Sequence, residues 1–173
     1  MQYSSLLIGL LIGVLYPLWL LAGCIDYFCH RRTSIEQTSG IGECAFHVAQ
    51  FAALGIALVL SMVFALNAMV LALLIAVIAT HSALSYADVS YTQGRRHISP
   101  LEQHAHGFMD VLPVVAVGLL AILSWQDIWS KPWQLRLDDN PMDLRKLLLL
   151  GSFAIFTGVP VLEEFWRTSR CAA

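Results

Sequence analysis

Charge is what this sequence has least of. Only 13% of its 173 residues are Asp, Glu, Lys or Arg, where a soluble domain carries roughly a quarter. The net formal charge is −2 and no Lys/Arg-rich stripe occurs, so no nucleic-acid partner is expected. The cysteines Cys24, Cys29, Cys44 and Cys171 form no CxxC pair and no zinc-finger spacing. They read as small apolar filler near helix ends. No flavin, nicotinamide or ferredoxin motif is present, so any redox chemistry would draw its electrons from an external donor protein. There is no internal repeat and no low-complexity tract.

What fills the space is hydrocarbon. Hydrophobic residues make up 58% of the chain and the mean hydropathy is +0.69. They fall in five runs, about 4–25, 44–65, 67–86, 108–124 and 146–163, each near the twenty or so residues that cross a bilayer as a helix. The expected fold class is all-α: a polytopic transmembrane bundle of about five spans, one integral membrane domain over residues 1–173. The first four helices would form the core and the fifth would pack against it. Leu21-Ala22-Gly23-Cys24 is similar to a lipoprotein lipobox, but Met1 to Ser5 hold no Lys or Arg, and a signal peptide needs a positive n-region. The first helix is therefore read as a retained span.

Arginine pairs set the expected orientation. Arg31 and Arg32, Arg95 and Arg96, and Arg167 and Arg170 lie on alternate connections, whereas Lys131, Arg136, Arg145 and Lys146 share their loop with four aspartates. By the positive-inside rule the N-terminus faces out and the C-terminus faces the cytoplasm, in a bacterial inner membrane. Trp125, Trp129 and Trp133 step by four through the outer loop, as an interfacial aromatic belt would.

Against this background the polar residues cluster. Residues 97–110 hold three of the six histidines, a glutamate and an aspartate. Asp26 and His30 stand four apart, as do Glu43 and His47. His81 and Asp88 stand seven apart, and Glu102, His106 and Asp110 step by four. Spacings of four and seven share a helix face, and the topology brings all four sets to one membrane face. Imidazole with carboxylate is a ligand set for iron, manganese or zinc, and helix bundles build di-iron sites from such sets. Nine ligands, Asp26, His30, Glu43, His47, His81, Asp88, Glu102, His106 and Asp110, suit two divalent ions, iron first and zinc as the alternative. The expected ligand core is His47, His81 and His106 with Glu43, Asp88 and Asp110. Glu102 also fits a capping box with Ser99 and Pro100, and Glu36 lies in a loop where either ligation or ion pairing is open. His97 reads as a loop residue, and His104 points off the ligand face.

His30, His47, His81, His97, His104 and His106, at or near helix ends over residues 24–110, resemble the histidine-rich membrane hydroxylase and desaturase superfamily. The resemblance implies two metals, generally iron, and oxidation of a lipid chain or sterol. The HxxxxH, HxxHH and HxxH boxes of that superfamily do not occur here, and the surplus of carboxylates is closer to ferritin-like oxidases.

The leading expectation is a membrane di-metal oxidoreductase acting on a lipid-soluble substrate at the cytoplasmic face. A second is a zinc-dependent lipid hydrolase, with three histidines on zinc, an aspartate as base and Ser82 or Ser85 assisting. A third is a non-enzymatic haem or metal-binding protein with His47 and His81 as an axial pair.

Overall fold

The computed structural model describes residues 2–130, 133–140 and 142–172; Lys131, counted above in the outer loop, lies outside them. Among the described residues the chain is all-α. Five helices are long and apolar enough to cross a membrane: α1 (Tyr3–Thr33), α2 (Gly40–Val63), α3 (Ala68–Thr92), α4 (Pro100–Leu123) and α6 (Leu144–Cys171). A short α5 (Trp125–Ser130) follows α4. Their large apolar side chains, Leu6, Ile56, Ile75, Val111, Ile122, Ile155 and Leu162 among them, are exposed on the outer surface. That is the arrangement a lipid solvent favours, since lipid offers no penalty to an outward-facing leucine.

Local chemistry sets the helix ends. The Asn67 side chain caps α3 by accepting from the Val70 amide at 3.0 Å, Ser99 caps α4 ahead of Pro100, and Asp143 caps α6. Each supplies an acceptor to one of the amides that a helix start leaves open. Helix α1 stops at Ser34, whose backbone turns left-handed at φ 51°. Connections of a few residues join α1 to α2, α2 to α3 and α3 to α4, so these neighbours run antiparallel.

The long helices close into a ring. Helix α1 packs on α4, α4 on α3, α3 on α2, α2 on α6, and α6 back on α1. The fifth span thus completes the bundle as a structural equal, rather than leaning on a four-helix core. Segment 134–138 folds over the α2–α3 turn: the Ala65 amide donates to the Arg136 carbonyl and the Asp138 amide to Val63, both at 2.9 Å. This end carries the exposed Trp125, Trp129 and Trp133.

Two of the ring helices are loosened by proline. A π-helical turn runs over Leu11–Leu15 ahead of Pro17, and another over Ala154–Gly158 ahead of Pro160. Proline cannot donate to the carbonyl four residues back, and a widened turn accommodates the clash. The Phe156 carbonyl released by Pro160 faces the Cys24 thiol at 3.9 Å. Small residues let the helices approach. At Gly158 an added Cβ would stand 3.1 Å from Phe51, which seats an aromatic stack of Phe51 on Phe153 (4.9 Å) and Phe153 on Trp19 (5.8 Å) across the ring.

Candidate metal centre

The spans run one to two turns beyond the apolar runs at one end of the bundle, and those extra turns carry the polar cluster. Asp26 and His30 come from α1, Glu43 and His47 from α2, Asp88 from α3, Glu102 and His106 from α4, and Glu164 from α6. Relative exposure is 1% at His30 and Glu43, 2% at Asp88 and Glu164, and 0% at Glu102. Charged groups buried this deeply are costly unless they are neutralised.

Glu164 organises the centre. Its Oε2 accepts from His30 Nδ1 at 3.0 Å and its Oε1 from His47 Nδ1 at 2.6 Å. One carboxylate therefore fixes two imidazoles, whose rings stack 4.6 Å apart and nearly parallel. With both Nδ1 atoms engaged, both Nε2 atoms are turned into the acidic interior. A carboxylate bonded to the outer nitrogen of a histidine is the usual means of orienting a metal ligand and raising its basicity.

The inward atoms crowd together. His30 Nε2 lies 3.3 Å from Glu102 Oε1, 3.5 Å from Asp26 Oδ1 and 3.8 Å from Glu43 Oε1. His47 Nε2 lies 3.1 Å from Asp88 Oδ2 and 3.9 Å from Glu43 Oε1. His106 Nε2 lies 2.9 Å from Asp26 Oδ1. Yet His30 Nε2, His47 Nε2, Asp26 Oδ1, Asp88 Oδ1 and Glu102 Oε2 are buried with no aligned hydrogen-bond partner. Buried polar atoms are nearly always satisfied, so five orphans in one cluster point to a missing shared partner. Two sets fit a metal ion, Asp26, His30, Glu102 and His106, and His30, Glu43 and His47, the donor atoms of each lying within 4.8 Å of one another.

Charge counting points the same way. Five carboxylates (Asp26, Glu43, Asp88, Glu102, Glu164) face one guanidinium, that of Arg96, which bonds both Glu43 and Glu102. Burial alone would lower the pKa of Arg96, but its hydrogen bonds to these two carboxylates outweigh burial and raise it above the ordinary value. Carboxylates therefore outnumber the guanidinium by four, an excess of buried negative charge that cations among them would offset.

Several sequence expectations are redirected. The side chain of Glu102 does not close a capping box; Ser99 caps its amide at 3.2 Å while the carboxylate turns inward to Arg96 and His30. Glu36 pairs with Arg167, away from the cluster. His97 and His104 are exposed. His81 and Asp110 form a pair of their own: Asp110 Oδ1 accepts from Ser82 at 2.8 Å and lies 3.6 Å from His81 Nδ1, and its side chain is 37% exposed. They stand outside both ligand sets.

Sequence reasoning missed Glu164 and the burial of Arg96. An acidic residue inside an apolar span is itself a functional signal. Here it was masked by the neighbouring Glu163, which serves the surface by pairing with Arg31 at 3.1 Å and Arg167 at 3.2 Å and accepting from Tyr27.

A small chamber of about 70 Å³ adjoins the cluster, lined by His30, His47, His81, Gln50, Trp19 and Glu164 among others. Beyond it along the ring axis lies a larger apolar cavity of about 270 Å³. Trp19 and Leu54 line both.

Compared with models of known protein families, with curated proteins and with solved structures, the chain matches none.

Proposed function

We propose that the chain is a membrane oxidoreductase that holds two metal ions, iron in the first instance, and acts on a lipid-soluble substrate. The observation that carries this reading is the convergence of unpartnered acid and imidazole atoms, with five carboxylates to one guanidinium, beside a chamber that adjoins an apolar cavity. Asp26, His30, Glu102 and His106 would hold one ion. Glu43, His47 and Asp88 would hold the other, with Glu43 Oε1 nearly equidistant from the two histidine nitrogens, at 3.8 and 3.9 Å. A pair of iron ions in such a ligand set supplies the binding and activation of dioxygen.

The chain's own residues do the rest. Glu164 keeps two ligand histidines in the tautomer that presents Nε2. Arg96 holds Glu43 and Glu102 in place and offsets part of their charge. The stacked layer of Phe51, Phe153 and Trp19 lies where the chamber and the apolar cavity meet. Electrons would come from a partner protein at the arginine-bearing end, which the orientation proposed from the charge pattern makes cytoplasmic.

The test is dioxygen uptake by iron-loaded protein in lipid vesicles with a chemical reductant. Uptake that depends on iron, and vanishes with zinc in its place, is expected. Protein with two irons bound that consumes no dioxygen would refute the oxidoreductase reading and favour the zinc hydrolase.

A further inference from the structure

The large cavity is the lumen of the helix ring, since all five spans contribute to its wall: Leu15 from α1, Met62 from α2, Leu74 from α3, Val117 from α4 and Phe153 from α6. Its few polar groups are already satisfied by protein. The Tyr16 hydroxyl donates to the Leu149 carbonyl at 2.7 Å, the Ser61 hydroxyl to Leu58 at 2.8 Å, and Lys146 to Met62 at 2.9 Å and Asp138 at 3.0 Å. Nothing in this wall asks for a polar ligand except Trp19, whose indole Nε1 is buried without a partner at the boundary with the chamber. A cavity of about 150 Å³ lined by apolar side chains takes up benzene, so 270 Å³ admits roughly ten carbons on the same scale.

The chamber beyond the aromatic layer is smaller and mixed in character: His30, His47, Gln50 and Glu164 share its wall with Phe51 and Met109. Its 70 Å³ is roughly the share of two liquid waters. That space takes a hydroxyl or carbonyl and excludes a phosphorylated or choline-bearing head. A charged head would also lose its hydration on entering so small a space.

We infer that the substrate is a single-chain neutral lipid, entering with a small hydroxyl or carbonyl end in the chamber and its hydrocarbon tail in the lumen. The inference rests on the proposed oxidoreductase reading for its chemistry, and on the two cavities for its binding. Phospholipid acyl chains and charged amphiphiles are outside the class.

The experiment uses the full chain in vesicles and a C12 primary alcohol bearing a diazirine at its tail end. Photolabelling should be saturable and should map to lumen residues such as Met62, Val117 and Leu149. Unlabelled dodecanol should compete at least tenfold better than dodecylphosphocholine or laurate. Ala57→Trp and Val117→Trp, which fill the lumen from two different helices, should each cut labelling at least tenfold while bound iron stays unchanged. Labelling that survives both folded plugs, labels confined to the outer helix surfaces, or equal competition by dodecylphosphocholine would each overturn the inference. Failure of the two readings is separable. Saturable lumen labelling in protein that binds no iron keeps the lipid site and removes the oxidoreductase. Iron-loaded protein without saturable labelling removes the lipid site alone.

Discussion

Replacing Glu164 by glutamine is the most informative single perturbation of the centre. The amide keeps the shape of the side chain but changes one acceptor oxygen into an NH2 donor. Two imidazole N–H groups now face one acceptor: the bonds of 3.0 Å to His30 and 2.6 Å to His47 cannot both survive. The ring that loses its partner can restore a bond only by moving its proton to Nε2, and a protonated Nε2 cannot ligate a metal. A hydrogen bond to a charged group contributes about 1.5–3 kcal/mol, and loss of such an orienting partner costs about 10–100-fold in metal affinity. Glu164→Gln should therefore weaken binding of at least one ion by that factor, with all five spans still inserted. The assay is competition of purified protein against a chelator of known affinity, with thermal unfolding as the check on folding. Glu163→Gln is the control, one residue away but bonded to Arg31, Arg167 and Tyr27, and should leave affinity within twofold. Folded Glu164→Gln with unaltered affinity would refute the claim that this carboxylate positions the ligands.

Other perturbations separate the parts of the account. His106→Ala should lose at least half the bound metal, whereas His104→Ala, exposed on the same helix, and His81→Ala, paired with Asp110 outside the ligand sets, should keep nearly all of it by metal analysis. Gly42→Ala should lower the apparent Tm by several degrees in detergent, because a Cβ there would collide with the Tyr91 ring and overpacking costs about 1–3 kcal/mol; Gly42→Ala with Tyr91→Ala should recover part of that loss. Reporter fusions after residues 35, 97 and 172 should read cytoplasmic and those after 66 and 135 external; a cytoplasmic reading at 66 would overturn the proposed orientation.

The five spans were legible because hydropathy is a strong signal when nearly all charge is excluded from twenty-residue stretches. Their ends were not. Helix α1 runs to Thr33 where the apolar run stops near 25, and α4 begins at Pro100 rather than 108, because Asp26, His30 and Glu102 in these turns are buried against protein and each other instead of meeting lipid. Helical spacing placed Asp26 with His30 and Glu43 with His47, since those pairs share a turn and a face. It could not decide between faces at His81 and Asp110, which also lie on suitable spacings but look toward each other. Arg96 looked like a topology marker, and only its contacts with Glu43 and Glu102 reveal it as a buried counter-charge. In the fifth span nothing in the sequence separates Glu164 from the surface-facing Glu163, and no histidine stands four positions away to announce it.

The central claim is that this cluster holds two divalent ions, and metal stoichiometry tests it most directly. Protein purified gently in detergent from cells grown without added metals should carry about two ions per chain, predominantly iron, by elemental analysis. Folded protein that carries none, and takes up none when iron(II) or zinc is offered, would contradict the account.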